Sequence, residues 1–258
     1  MNTIAMPADL GLIEKLREQE LEEARSLQSG MLPTEPLNRG RVRISHEFQP
    51  IAEVGGDYLD YFELTDGCIG LYLGDVSGKG LPAAMFAALA VGTLRGVHKT
   101  GLSPATVLST LNRRLLLRGV SRRHAAMQYA VFDPLTNQMQ ISSAGMPGPC
   151  HISPQGCRMM EIQGMPPGLF DPAAEYDTQK ITIGPGDSVL FFTDGVSDAF
   201  SMDGESFGIE RLQAVCEAYR ESSPPEILGQ VFSEIGLFAQ GRAQHDDMAA
   251  TLFRLETV

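Results

Sequence analysis

The sequence predicts an α+β fold in which antiparallel sheets carry helices on their outer faces. Strand-like and helix-like runs come in blocks along the 258 residues, not in the strict alternation of a parallel α/β sheet. Asp66-Gly67 lies between two strand-like runs and is a strong hairpin signal, and a tight hairpin joins antiparallel strands only. A long amphipathic segment at the start stands apart from these blocks.

That segment, residues 12–32, reads as one helix. Ile13, Leu16, Leu21, Ala24, Leu27 and Met31 fall near one stripe, and the remaining faces are rich in Glu, Arg and Gln. Pro33 and Pro36 end it, and residues 33–41 read as a linker. The chain therefore divides into a helix at 1–36 and a main domain at 37–258. One helix cannot bury its stripe alone. It packs on its own domain, on a partner, or on a second copy of itself.

Strands are expected at 42–49, 57–64 and 68–76, with Asp66 and Gly67 as central turn residues of the hairpin. Helices follow at 82–98 and 104–118. Ser103-Pro104 forms a good start for the second, and Gly119 suits its end. Strands at 128–132 and 138–143 flank a turn at 133–137, and short strands occupy 149–193. Helices at 208–221 and 224–239 and a strand at 248–255 complete the order.

A net charge of −12 argues against a nucleic-acid binder, which needs a basic face to displace phosphate counterions. No apolar run reaches the ~18–20 residues that span a bilayer. The first residues lack a basic segment followed by an apolar one, so no secretory signal is expected. Cys68, Cys150, Cys157 and Cys216 form no CxxC pair and read as reduced thiols of a cytoplasmic protein.

Carboxylates gather at strand ends. With a two-residue turn at Asp66-Gly67, Asp57 lies opposite Val76 and Asp75 opposite Tyr58, so the two aspartates are diagonal neighbours; a single bulge sets them directly opposite, about 5 Å apart. Carboxylates that close repel unless a cation or proton lies between them. Asp194 follows the apolar run 189–192, and Asp246-Asp247 precedes the last strand. Singly, an Asp-Gly pair marks an ordinary turn and paired aspartates make a solvated loop. Together, without a His/Cys cluster, they suit a hard cation such as Mg2+ or Mn2+, not zinc.

GGDYLDYFEL, GDVSGKGLPAAMFAA, SSAGMPGP, GMPPGLF, FFTDGVSDAF and DDMAATLF occur in this order over roughly residues 25–256. The set resembles the PPM-type serine/threonine phosphatases, in particular the SpoIIE/RsbU-like bacterial branch. The resemblance implies two packed antiparallel sheets flanked by helices, an α-β-β-α sandwich, with two divalent cations (Mn2+ or Mg2+) at one end. Asp75 matches the ligand that bridges both ions. Asp57 and the backbone carbonyl of Val76 match ligands of one ion, and Asp194 and Asp246 those of the other. Asp247 and Gly78 match supporting positions. The implied reaction is attack on phosphorus by a water activated between the ions, with no protein nucleophile. The implied substrate is a phosphoserine or phosphothreonine protein, such as an anti-sigma-factor antagonist of the STAS type. The 12–32 helix resembles a regulatory linker helix, implying a homodimer or an activator.

Other readings stay open. Ser77 as a nucleophile has no base nearby in sequence, and Lys79 either contacts phosphate or is merely exposed. GDVSGKG lacks P-loop spacing. Relatives commonly carry histidine where this chain has Met146, and methionine can neither transfer a proton nor donate a hydrogen bond. A non-catalytic metal-binding module and a hydrolase of a small phosphorylated metabolite are therefore the competing functions.

Overall fold

The structure is a computed structural model that describes residues 7–97, 101–117 and 123–257. Helix α1 (Pro7–Ser29) leads into β1 (Leu37–Arg39), β2 (Val42–Gln49), β3 (Tyr58–Glu63) and β4 (Ile69–Val76). Helices α2 (Leu81–Arg95) and α3 (Pro104–Leu117) precede β5 (Ala125–Asp133) and β6 (Gln138–Ala144). Then come β7 (Cys150–Ser153), β8 (Gly156–Met159), β9 (Gln179–Thr182), β10 (Ser188–Phe192) and a one-turn helix α4 (Asp194–Ser197). Helices α5 (Gly208–Ala218) and α6 (Pro224–Ala239) and strand β11 (Met248–Leu255) close the described chain. The expected helix ends at His98, Arg118 and Gly119 lie outside the described residues.

The strands form two antiparallel sheets, ordered β1-β2-β11-β10-β7-β8 and β3-β4-β5-β6-β9. They pack face to face over Ile44, Leu59, Leu71, Phe132, Phe191 and Phe253. The rings of Phe132 and Phe253, one from each sheet, lie 4.8 Å apart. Helices α2 and α3 cover one outer face through Phe86, Val91, Leu108 and Leu111, and α5 and α6 cover the other through Leu212, Ile227 and Val231. The expected sandwich is what the chain builds.

Because both faces of each sheet are covered, the central strands read as continuous apolar runs. In β10, Val189 and Phe191 point between the sheets, whereas Leu190 and Phe192 point toward the helices. In β11, Ala249, Phe253 and Leu255 point inward, and Met248, Ala250 and Leu252 outward.

Two expectations need correction. Residues 37–39 are not linker: β1 pairs with β2 as an edge strand through a two-residue turn, with Gly40 at a φ of +55° that a glycine adopts without strain. Three residues are too few for a period-2 pattern to show. The hairpin register is also shifted by one. Its loop is Thr65-Asp66-Gly67, closed by the Leu64 amide on the Cys68 carbonyl (2.8 Å) and the Gly67 amide on the Leu64 carbonyl (3.0 Å), with Gly67 at φ +82°. A three-residue loop ending in a left-handed glycine adds the bulge that a two-residue turn lacks.

Candidate metal centre

The corrected register decides the first pair. Tyr58 lies opposite Gly74, so one further step sets Asp57 opposite Asp75. Strand parity gives both the same direction. Leu59 and Tyr61 of β3, and Ile69, Leu71 and Leu73 of β4, point between the sheets, and Asp57 and Asp75 continue those rows. The two carboxyls therefore enter the open end of the inter-sheet gap and hydrogen-bond to each other.

Asp57 is 1% exposed. Burial, then the charges of Asp75 and Asp247, push its pKa well above the ordinary carboxylate range. Burial and the charge of Asp194 raise Asp75 to about 7, with Asp246 and Asp247 adding to the effect. Thr193 Oγ1 donates to Asp57 Oδ2 at 2.8 Å, and the same Oγ1 accepts from the Ala249 amide at 3.0 Å. Thr193 thus fixes Asp57 against the ends of β10 and β11.

Asp194 opens α4 at the rim of the same gap. Partial desolvation, then Asp198 and Asp246, raise its pKa. Asp246 makes an ion pair with Lys79 Nζ at 3.1 Å, and Lys79 also donates to the His245 carbonyl. Lys79 is therefore not a free cation awaiting substrate here.

Parity also separates the two adjacent aspartates. Asp247 continues the inward row of β11 and is 3% exposed. Its Oδ1 accepts the Ile51 amide at 2.8 Å and its Oδ2 the Gly56 amide at 2.6 Å. Both oxygens are spent holding the loop that carries Asp57. Asp246, one residue earlier, faces the rim. Glycines make this closeness possible: a Cβ on Gly55 would overlap the Asp247 carboxylate, and one on Gly195 its carbonyl. A Cβ on Gly56 would come within 2.8 Å of the Val76 carbonyl and 3.1 Å of Asp75 Oδ1. Gly78, at φ +96°, leaves room for Arg123 Nη1 to donate to the Ser77 carbonyl.

Three contributors carried no recognisable sequence signal. Thr193 lies inside FFTDG but looks like strand padding. Arg123 is remote in sequence. Gln28 interrupts the apolar stripe of α1, on the face of Leu21, Ala24 and Met31, and is only 6% exposed. Its Nε2 donates to the Gly55 carbonyl at 2.7 Å, and its Oε1 accepts the Gly55 amide at 3.0 Å. Met146 proves to be a buried member of the inter-sheet core, and Ser77 Oγ accepts the His124 amide at 3.1 Å.

Among the described residues, no three His, Cys, Asp or Glu side chains converge into a ready-made metal cage. The donor chemistry nevertheless fits a hard divalent cation. Buried carboxylates face one another with raised proton affinity, a backbone carbonyl lies beside them, and neither imidazole nor thiolate takes part in the pairing. A cation would replace the protons that the crowding now favours.

The family described as Stage II sporulation protein E (SpoIIE) matches residues 65–256. This chain belongs to the SpoIIE family. It is 26% identical to Protein IcfG of Synechocystis over 89% of this chain and 40% of IcfG. It is 25% identical to phosphoserine phosphatase RsbU of Bacillus subtilis over 94% of this chain and 72% of RsbU. The chain thus spans well under half of IcfG but most of RsbU. Its fold is similar to the SiaA-PP2C domain of Pseudomonas aeruginosa, with a TM-score of 0.83, 18% identity, and coverage of 95% of this chain and 99% of that one. SpoIIE-family membership and the PP2C-like sandwich together agree with the PPM-type resemblance drawn from the motifs. No helix of the described residues is long and apolar enough to cross a membrane.

Proposed function

We propose that this SpoIIE-family chain is a divalent-metal-dependent protein phosphatase acting on phosphoserine or phosphothreonine. The observation that carries the reading is the carboxylate cluster at one end of the sandwich, Asp57, Asp75, Asp194 and Asp246, electrostatically coupled and facing solvent only at the rim. Asp75, whose proton affinity answers to all the others, would serve both cations. Asp57 and the Val76 carbonyl would hold one Mn2+ or Mg2+, and Asp194 and Asp246 the other. Bound cations would acidify a water and neutralise charge on the phosphoryl oxygens.

The protein's own contribution is placement. Thr193 orients Asp57, Asp247 anchors the 51–56 loop, and Lys79 holds Asp246 at the rim until a cation competes for it. Similarity to RsbU supports phosphoserine as the target, and the motif resemblance extends it to a STAS-type antagonist in the cytoplasm. The same resemblance makes residues 1–36 the regulatory segment and 37–258 the phosphatase domain.

Phosphate release from p-nitrophenyl phosphate and from a phosphoserine protein is expected to require Mn2+ or Mg2+. Asp75→Asn is expected to lower turnover by on the order of 100-fold or more, since loss even of an outer partner costs 10–100-fold. Turnover that survives EDTA, or that Asp75→Asn leaves intact, overturns the reading. Equal activity on a small phosphate ester and on the protein favours the metabolite hydrolase instead.

A further inference from the structure

A second concavity adjoins the carboxylate cluster, where α6, the 240–247 loop and the start of β11 meet. Phe200, Phe232, Ile235, Ala239 and Met248 supply apolar walls, and Asp246 and Gly195 border it on the side of the cluster. Its volume is about 190 Å³. Sites for free small molecules run to roughly 300–1,000 Å³, so this one is the size of a single side chain.

The walls are fixed before any ligand arrives. Arg242 Nη1 donates to the Ser201 carbonyl at 2.6 Å while its guanidinium lies 5.3 Å from the Phe200 ring centre. The His245 ring meets Phe200 edge-on at 5.0 Å. Gln244 Nε2 donates to the carbonyls of Gln49 (2.7 Å) and Asp246 (2.6 Å), tying the loop to β2. A preorganised pocket loses little entropy on filling.

We propose that this pocket is a specificity subsite that takes an apolar side chain of the substrate protein, a Leu or Phe close in sequence to the phosphorylated residue. The proposal rests on the phosphatase reading. Asp246 belongs to both the pocket wall and the cluster, so a chain whose phosphate enters the cluster passes the pocket mouth. The apolar walls reward burial of a hydrocarbon side chain.

Gly236 offers a clean test. It lines the pocket from α6, and a Cβ built there meets nothing within 4 Å. Gly236→Leu fills the mouth without touching the cluster, and a helix interior favours leucine over glycine. Paired phosphoserine peptides differing only in Leu or Gly near the phosphoserine are compared at saturating Mn2+, with p-nitrophenyl phosphate as the reference ester. The wild-type protein is expected to favour the Leu peptide by about 10-fold in kcat/KM, the scale of a buried hydrocarbon contact. Gly236→Leu, and independently Ala239→Leu, are expected to abolish the preference and leave the ester unchanged.

Equal rates for the two wild-type peptides, or a preference that survives both substitutions, overturn the proposal. A parallel fall in ester turnover also overturns it, because the substitution then acts on the site as a whole. If Gly236→Leu instead changes the oligomer mass with peptide selectivity intact, the pocket's occupant is a second copy and the substrate role is wrong. A wild-type protein that releases phosphate from none of these compounds refutes the phosphatase reading itself, and the subsite falls with it.

Discussion

At the scale of residues, the site is a set of carboxylates kept close against their mutual repulsion. Thr193 makes the one neutral hydroxyl contact to Asp57 within the described structure, and that contact favours the charged carboxylate. Thr193→Val keeps the shape and removes the donor. It is expected to weaken Mn2+ binding by about 10–100-fold, as loss of a group behind a metal ligand does. Isothermal titration with Mn2+ measures this without reference to turnover, and an unchanged affinity would refute the role of Thr193. The adjacent aspartates show how one step along a chain changes function. Asp247 points inward and is consumed by two backbone amides, while Asp246 faces the rim, where it pairs with Lys79.

At the scale of elements, α1 joins the site through Gln28, which shares a face with Leu21, Ala24 and Met31. Leu27 on its apolar stripe is 75% exposed, and Ile13 and Leu16 are exposed as well, whereas Gln28 is buried on Gly55. Ile13, Leu16 and Leu27 are therefore the uncovered edge of the stripe, whereas Leu21, Ala24 and Met31 are half-buried beside Gln28. Gln28 acts as a two-point peptide mimic that holds Gly55, two residues before Asp57. Arg95 of α2 strengthens the joint by donating to the Met31 carbonyl at 2.7 Å. Gln28→Ala leaves both backbone groups of Gly55 without that partner, and is expected to destabilise the fold by about 1–3 kcal/mol. It should also raise the Mn2+ concentration needed for half-maximal stabilisation. Chemical denaturation at fixed and varied Mn2+ measures both, and a change in neither rules out coupling of α1 to the site.

At the scale of the whole molecule, the cluster makes stability depend on pH in an unusual direction. Asp57 and Asp75 bind protons more tightly in the folded state than in the unfolded one, where Asp titrates near 3.8. Between about pH 4 and the Asp75 value of about 7, the folded state holds protons that the unfolded state has released. Stability of the metal-free protein is therefore fullest below about pH 4 as far as these groups are concerned, and is lost as pH rises through 7. Other paired carboxylates act oppositely at the acid end, so the test lies between pH 5 and 8. In EDTA, Tm is expected to fall across that range. Saturating Mn2+ is expected to reverse the trend, because deprotonation completes the ligands. A Tm that rises with pH in EDTA would show that the aspartates are not held as close as the geometry has them.

The sequence by itself determined the order and kind of nearly every long element, because apolar period and turn residues are local. It also pointed to the aspartates as candidates, because hard-cation chemistry calls for a residue type and the motifs name the positions. It could not determine the hairpin register. Two-residue and three-residue loops around Asp66-Gly67 differ by one bulge, and only the closed hydrogen bonds choose between them. Nor could it foresee β1, which is too short to show a period, or assign Asp246 and Asp247 their opposite directions before the parity of β11 was fixed. Gln28, Thr193 and Arg123 reach the site from distant segments. Their partners are mostly backbone groups, and the sequence does not reveal where a remote backbone will lie. The residue types were written in the chain, whereas who faces whom was decided by two sheets packing and bringing their strand ends together.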